Sequence, residues 1–209
     1  MLSGAGEHCC PGLGLSELSQ RSVTEGIAHS RAWHAAFDQV QLRRAAVIAM
    51  LRGAGVGGGC ELAAAAHIRV AESSAFFGLP EEQRGLFVGG CGSPRIPQLI
   101  GQSRMAGMML TERVPGADEA QEVGLTPYRV ANGDGLEKAF GLQRHVACNA
   151  PLSNSFVLHA LPRVACMSPG DGLFAGSLMA AIAQGDDAAK QRLRAYLDGR
   201  AMKAAKEAA

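Results

Sequence analysis

The residues best suited to chemistry are a cluster of glycines, GAGVGGG at residues 53–59, and the glutamate Glu61 that follows it. The cluster comes after the apolar run AAVIAML, which is typical of a buried parallel strand, and before the short helical stretch CELAAAA. A glycine turn between a strand and a helix leaves backbone N–H groups unpaired at the positive end of the helix dipole. Such a turn can bind a phosphate or stabilise an oxyanion, or it can simply provide positive φ and close packing. The glycines alone leave all three interpretations open.

The same glycines fit the dinucleotide-binding fingerprint G-x-G-x-x-G at Gly53, Gly55 and Gly58. Glu72 lies 19 residues past Gly53, where that fingerprint has a ribose-binding acid. Two features count against this interpretation. The following helix, with about seven residues, is short for a crossover between parallel strands, and Glu61 lies in its first turn, where a pyrophosphate would have to bind. A nicotinamide-dependent oxidoreductase is therefore kept as an alternative.

A second carboxylate, Glu81, stands twenty residues after Glu61 in the segment GLPEEQRG. If the intervening strands return the chain to the glycine turn, the two carboxylates face each other across a pocket. One could then activate a water while the other moves a proton to carbon, beside an oxyanion-stabilising helix end. The alternative is that Glu61 only complements the helix dipole, and that Glu81 or Glu82 is a solvated loop acid.

The elements that must position these residues alternate in type along the first half of the chain. Ser22 and Glu25 form a capping-box pattern that opens a helix predicted over about 22–42. The segment 89–97, GGCGSPRIP, is predicted as a loop whose Pro94 can occupy a first helical turn. Strands are predicted at 45–51, 67–72 and 74–80.

Beyond Ile100 the sequence becomes mainly helical. Short helices are predicted at 103–110 and 117–124, the second closed by Gly124, and a brief strand at TPYRVAN. Longer helical patterns occupy 136–149, 151–166 and 186–206, with 172–184 joining them. This order predicts an α/β core followed by a C-terminal helical module.

The composition of the 209 residues excludes several classes of protein. The net charge is +1 and no basic cluster alternates with aromatic residues, so nucleic-acid binding is not expected. The apolar stretches are too short or too broken by glycine to span a bilayer, and the N-terminus lacks the pattern of a secretory signal. The six cysteines form no C-x-x-C pair and the six histidines no zinc spacing. We therefore expect a cytoplasmic protein with free thiols and no metal site.

Most of the chain resembles the enoyl-CoA hydratase/isomerase (crotonase) family. The resemblance is carried by VIAMLRGAGVGGGCELAAAAHIRVAESSAFFGLPEEQRGLFVGGCGSPRIPQLIG and, downstream, GLTPYRV. Within the family, SVTEGIAHSRAWHAAFDQVQ and LPEEQRGLFVGG look most like the (methylthio)acryloyl-CoA hydratase group. The resemblance implies a crotonase-like spiral of ββα units over 1–135 and a helical trimerisation module over 136–209. It also implies homotrimers or dimers of trimers.

The resemblance further implies addition of water across the 2,3 double bond of a short 2-enoyl-CoA. The N–H of Gly58 would bind the thioester oxygen and Glu61 would activate the water. Glu81 would orient that water and deliver a proton to the α-carbon, and Gly89 would line the water site. Coenzyme A would be part of the substrate, and no separate cofactor is expected. The residues implied to contact substrate or CoA are Gly12, Leu13, Gly57 and Gly89.

The sequence departs from the family pattern in the upstream block that usually resembles F-C-A-G-x-D-L. Here the block reads CCPGLGL over residues 9–15, with Cys9 for the aromatic residue and Gly14 for the aspartate. Pro11 matches the alanine whose N–H completes the oxyanion hole, and proline has no N–H. Losing one such donor costs about 3–4 kcal/mol of transition-state stabilisation.

Two other departures from the family pattern affect the activity that we expect. In the later block Cys91 replaces a usual glycine and is followed by Pro94. Relative to the family pattern the chain starts late, by about fifty residues or roughly two core strands. We therefore expect either an active hydratase with a compromised oxyanion hole or a catalytically weak CoA-binding or assembly protein.

Overall fold

A computed structural model describes residues 1–17 and 21–200 of the chain. The strands are β1 Leu2–Ser3, β2 Ile48–Leu51, β3 Ala54–Val56, β4 Ile68–Glu72, β5 Phe76–Gly78 and β6 Tyr128–Val130. Among the described residues up to 147, the α-helices are α1 Val23–Gln41, α2 Gly58–Ala65, α3 Gly92–Ile100, α4 Gln102–Leu110, α5 Ala117–Glu122 and α6 Gly135–Ala147. Short 3-10 helices lie at Leu15–Glu17 and Glu82–Arg84. The later helices are α7 Pro151–Ser155, α8 Leu161–Val164, α9 Pro169–Gly185 and α10 Asp187–Leu197, with a π-helical turn at Phe156–Ala160.

The strands form two parallel sheets. The larger has the order β1-β2-β4-β6, with Ile48 opposite Ile68 and Leu51 opposite Ala71. The smaller pairs β3 with β5. The chain therefore contains two successive ββα units, β2-β3-α2 and β4-β5-α3, in which the first strand joins the larger sheet and the second joins the smaller. This arrangement brings the ends of β3 and β5 together, and these are the strands that lead to Glu61 and Glu81.

Burial of apolar side chains explains why the two units pack together. The main core cluster contains Leu51 of β2, Phe77 of β5 and Ile96 of α3, each at most 1% exposed. A second cluster, centred on Met50 and Val70, lies on the other side of the larger sheet with part of α6. Strands buried on both faces are typical of parallel sheets covered by helices. The predicted α/β class is confirmed.

The predicted helix over 22–42 is confirmed as α1, and its capping box is formed. The hydroxyl of Ser22 accepts a hydrogen bond from the N–H of Glu25 at 3.3 Å, and the Glu25 carboxylate accepts one from the N–H of Ser22 at 2.8 Å. These reciprocal bonds satisfy two of the N–H groups at the start of the helix. Helix α1 therefore begins at the position that the sequence indicates.

At two places the structure contains more regular structure than the sequence predicts, although Pro94 does lie in a first helical turn as expected. The glycine cluster is not only a turn, because Ala54–Val56 forms strand β3. The predicted loop at 89–97 ends early, because α3 begins at Gly92 and includes Pro94 in its first turn. Proline is tolerated there since first-turn N–H groups have no partner within a helix. The helix start is instead stabilised by a carboxylate from outside it, as described below.

The chain divides into two compact units, Met1–Arg144 and His145–Ala209. The first holds all six strands, and the described part of the second is helical. The predicted division at 135/136 and the trimerisation role of the helices stay predictions, and residues 201–206 of the predicted last helix lie outside the described residues. In the part of the chain that the structure describes, no helix has the length and apolar character needed to cross a membrane.

Candidate active site

The glycine turn between β3 and α2 is shaped by two close backbone approaches. Gly57 has φ +55° and ψ −126°, a conformation open to glycine, and its N–H donates to the carbonyl oxygen of Gly78 at 2.8 Å. A Cβ on Gly59 would lie 2.0 Å from the carbonyl oxygen of Cys10, so only a glycine lets these two backbones approach. The segment around residue 10 is therefore held against the first turn of α2.

Gly58 is the first residue of α2, so its N–H has no partner within the helix. Among the described residues, no side chain caps this helix. A Cβ on Gly12 would lie 3.5 Å from the nitrogen of Gly58, and one on Gly58 would lie 4.0 Å from the nitrogen of Leu13. The Gly58 N–H is thus at a helix N-terminus beside the 11–13 segment, a place suited to binding a negative oxygen.

The Glu61 carboxylate lies one turn further along α2 and is almost completely buried, with 4% of the residue exposed. It accepts hydrogen bonds from the backbone N–H groups of Gly90, Cys91 and Gly92, at 3.0, 2.8 and 2.7 Å. These donors stand at the start of α3, so the carboxylate caps that helix from outside. Three donors on one carboxylate fix its orientation.

The Glu81 carboxylate occupies a different environment, on the loop that follows β5. It is half-buried, and a Cβ on Gly57 would lie 3.0 Å from its Oε1. Its Oε2 is buried and has no hydrogen-bond partner among the described residues. The pKa of Glu81 is raised to about 7, chiefly because the carboxyl group is buried and in smaller part because of the negative charges of Glu61 and Glu82. A backbone hydrogen bond and the positive charge of Arg84 oppose this rise. Glu81 can therefore exchange a proton near neutral pH.

A cavity of about 590 Å³ joins these groups, and every site residue predicted from the sequence lines it. Those residues are Pro11, Gly12, Leu13, Gly57, Gly58, Glu61, Glu81 and Gly89. The two carboxylates thus share one cavity with the N–H of Gly58. A buried carboxylate, a carboxyl group that titrates near neutral pH and an oxyanion donor can together move a proton to or from carbon next to a carbonyl group.

Helix α1 contributes a wall to this cavity that the sequence did not indicate. Ser30, Trp33 and His34 line it, and the carbonyl oxygen of Gly89 accepts a hydrogen bond from Nε2 of His34 at 3.0 Å. Val23 and Ile27, 81% and 57% exposed, line it as well. Apolar residues at helical spacing indicate a face that packs against something, and here part of that face borders a cavity rather than the core.

The departures from the family pattern differ in how well the structure accommodates them. Cys91 keeps its N–H bond to Glu61, and its thiol donates to the carbonyl oxygen of Glu61 at 3.3 Å. Burial raises the pKa of Cys91 to about 11, which keeps the thiol protonated for that bond. Pro11, in contrast, lines the cavity and has no N–H to offer. Of these two departures, only Pro11 therefore lacks a backbone donor that the family pattern would supply.

Glu72, the acid that the dinucleotide fingerprint would require, does not face the glycine turn. It ends β4, is 4% exposed and accepts a hydrogen bond from the N–H of Gly135 at 3.2 Å. A carboxylate buried against the start of α6 is not free to bind a ribose. This geometry disfavours the nicotinamide-dependent alternative.

Comparison with known proteins agrees with this geometry. Residues 1–201 match the model of the enoyl-CoA hydratase/isomerase family, so the chain belongs to that family. A solved structure from Rhodopseudomonas palustris, of a protein that carries the provisional name enoyl-CoA hydratase, is 54% identical with a TM-score of 0.92. That match covers 95% of this chain and 77% of the other. The predicted crotonase fold is confirmed.

Two curated relatives are more distant in sequence. The short-chain-enoyl-CoA hydratase of Clostridium acetobutylicum is 31% identical over 164 residues, which cover 78% of this chain. The enoyl-CoA hydratase EchA19 of Mycobacterium tuberculosis is 28% identical over 204 residues, which cover 96% of this chain and 77% of the relative. The match to the Clostridium enzyme spans 63% of that relative's length.

Proposed function

We propose that the protein adds water reversibly across the 2,3 double bond of a short 2-enoyl-CoA. The observation that carries this proposal is the shared cavity, which holds the Gly58 N–H and the carboxyl groups of Glu61 and Glu81. The reaction needs a donor for the thioester oxygen, a base for water and an acid for the α-carbon. Each of these three groups suits one of those tasks.

In the proposed mechanism the Gly58 N–H binds the thioester oxygen and stabilises the enolate-like state. The ionised Glu61, held by three backbone donors, takes a proton from a water whose oxygen forms the bond to the β-carbon. Glu81, protonated below its pKa of about 7, gives its proton to the α-carbon. Glu61 has then gained one proton and Glu81 has lost one, and transfer through solvent restores both groups. The chemistry requires no cofactor beyond the coenzyme A of the substrate.

The test is hydration of crotonyl-CoA, followed as loss of the enoyl thioester, with (methylthio)acryloyl-CoA as a second substrate. We expect Glu61→Gln and Glu81→Gln each to lower kcat/KM by about 10²–10⁴-fold. Glu122→Gln, which changes an exposed glutamate of α5, is the matched control and should leave the rate unchanged. Hydration by the unaltered protein that neither active-site substitution reduces would exclude the mechanism. The ratio of the two substrates' kcat/KM values tests the proposed kinship with the (methylthio)acryloyl-CoA hydratase group.

Pro11 favours a second candidate, a CoA-binding or assembly protein with little catalytic activity. Without a second N–H, the thioester oxygen is stabilised at Gly58 alone, and loss of one such donor lowers kcat by about 10²–10³-fold. Calorimetry that detects acyl-CoA binding without turnover, together with a gain of that size in Pro11→Ala, would support this candidate. Efficient hydration by the unaltered protein would rule it out. The expected trimeric assembly and cytoplasmic location stay predictions.

A further inference from the structure

The imidazole of His34, on α1, is connected to the Glu61 carboxylate through a single peptide group. Its Nε2 lies 3.0 Å from the carbonyl oxygen of Gly89. A carbonyl oxygen can only accept a hydrogen bond, so Nε2 carries the hydrogen in this bond. The N–H of the same peptide group belongs to Gly90 and donates to the Glu61 carboxylate. A chain of two hydrogen bonds therefore runs from the imidazole to the proposed base.

The Gly90 N–H differs from the other two donors to Glu61 in the oxygen that it reaches. The N–H groups of Cys91 and Gly92 donate to Oε1 alone, at 2.8 and 2.7 Å. The Gly90 N–H is shared between Oε1 at 3.0 Å and Oε2 at 3.2 Å, and among the described residues it is the one donor to Oε2. Oε2 thus keeps lone-pair capacity with which to accept a proton from water, and the Gly90 peptide orients this oxygen.

Helix α1 packs closely on the residue whose carbonyl group His34 binds. Ser30 and His34 are four residues apart on α1, so they lie on one face of the helix, and both line the cavity. A Cβ on Gly89 would lie 2.9 Å from Oγ of Ser30. The position of the imidazole is therefore set by a long helix in contact with Gly89 rather than by a loose surface segment.

We infer that His34 is a positioning residue for Glu61. The hydrogen bond from the imidazole holds the plane of the Gly89–Gly90 peptide at its carbonyl end, and it polarises that peptide so that the Gly90 N–H becomes a stronger donor. This N–H in turn directs Oε2 of Glu61 toward the attacking water. The inference rests on the proposed function, because it takes Glu61 as the base that activates water.

Hydration of crotonyl-CoA by variants of His34 separates the hydrogen bond from the packing of the ring. His34→Phe keeps a ring of similar size without the donor, and we expect kcat to fall by about 10–10²-fold, because small displacements of a catalytic group have effects of this size. The Kd of butanoyl-CoA, measured by calorimetry, should stay unchanged. His34→Gln can place an amide N–H near the position of Nε2 and should recover most of the lost kcat. His145→Ala, which changes an exposed histidine of α6 outside the cavity lining, is the matched control and should change neither quantity.

Exchange of the α-protons of butanoyl-CoA in D₂O shows whether the loss arises at Glu61. This exchange uses Glu81 and the Gly58 N–H but no activated water. His34→Phe should therefore exchange at the rate of the unaltered protein, whereas a general distortion of the site would slow exchange and hydration together. In protein that already carries Glu61→Gln, His34→Phe should lower the residual hydration no further, because the base through which it acts is already lost.

The outcomes distinguish the role of His34 from the proposed function. A folded His34→Phe variant, verified by its thermal unfolding, with the kcat of the unaltered protein would overturn that role and leave the proposed function intact. A loss that α-proton exchange shares, a loss that His34→Gln does not recover, or a raised Kd with unchanged kcat would also overturn it. His34→Ala provides the same measurements if the phenylalanine variant does not fold. If the unaltered protein hydrates no enoyl-CoA, the proposed function itself fails, and the role of His34 fails with it.

Discussion

Glu61 and Glu81 are the same residue type in the same cavity, yet the regions that hold them are built differently. Glu61 projects from a helix and its carboxylate accepts three backbone N–H bonds from the start of α3. Glu81 stands on a loop, is half-buried and has one carboxyl oxygen without a partner among the described residues. The surroundings therefore differentiate two chemically identical groups, as expected where one must remain a fixed base and the other must exchange protons.

Glu61 and Glu81 also differ in how their carboxyl groups affect the stability of the fold. The Glu61 carboxylate links α2 to α3 and stabilises the fold, whereas the desolvated Glu81 carboxyl group weakens the fold when it is ionised.

We expect Glu61→Ala to lower the free energy of unfolding by about 3 kcal/mol or more. Three buried N–H groups, those of Gly90, Cys91 and Gly92, would lose their acceptor, and each such group costs about 1–3 kcal/mol. Urea unfolding measures the change. Glu81→Ala is the matched control and should cost far less. Equal losses in the two variants would show that the two carboxylates are not structurally different.

We expect Glu81→Gln to stabilise the protein at pH 8 and to leave its stability unchanged below pH 4. In the folded state the pKa of Glu81 is raised from 4.5 to about 7. The unaltered protein therefore has its full stability below pH 4.5, where the carboxyl group is neutral, and loses stability as the pH rises through about 7 and the group ionises. With allowance for solvent screening of a half-exposed group, the gain at pH 8 is about 1 kcal/mol. Thermal unfolding at both pH values measures it. A variant less stable than the unaltered protein at pH 8 would contradict the raised pKa.

The smallest expected effects are opposite shifts in the pH dependence of hydration. The rate should fall as the pH rises through the pKa of Glu81, because the proton donor is then lost. Glu82→Gln removes a negative charge that raises this pKa, and Arg84→Gln removes a positive charge that lowers it. We expect the alkaline limb of log kcat/KM to move down by about 0.5 pH unit in the first variant and up by a similar amount in the second. If both variants shifted the alkaline limb of log kcat/KM in the same direction, an ionisable group other than Glu81 would control that limb.

Parts of the site could be predicted from the sequence because their signals are local. The order Gly58, Glu61, Glu81 lies in short blocks with a recognisable pattern, and the capping box of α1 spans four residues. The donors to Glu61 could not be predicted, since they are backbone groups 29 to 31 residues away in a glycine-rich stretch that is typical of a loop. No side-chain pattern indicates such a contact.

Strand β3 and the position of Trp33 in the cavity wall could not be predicted from the sequence, for related reasons. Ala54–Val56 gives no strand signal, and its pairing with β5 depends on the parallel arrangement of two ββα units. Trp33 stands at helical spacing with Phe37, a pattern typical of a core-facing helix. Its position against Gly58 depends on how α1 packs on α2, a tertiary contact that periodicity does not specify.

Exchange of the α-protons of butanoyl-CoA in D₂O tests the division of roles most directly. Removing and returning an α-proton requires Glu81 but no activated water, so mass spectrometry should detect deuterium uptake with the unaltered protein and with Glu61→Gln. Glu81→Gln should show no uptake above the uncatalysed rate. Uptake that persists in Glu81→Gln and is lost in Glu61→Gln would contradict the account, because it would assign the proton at carbon to the wrong carboxylate.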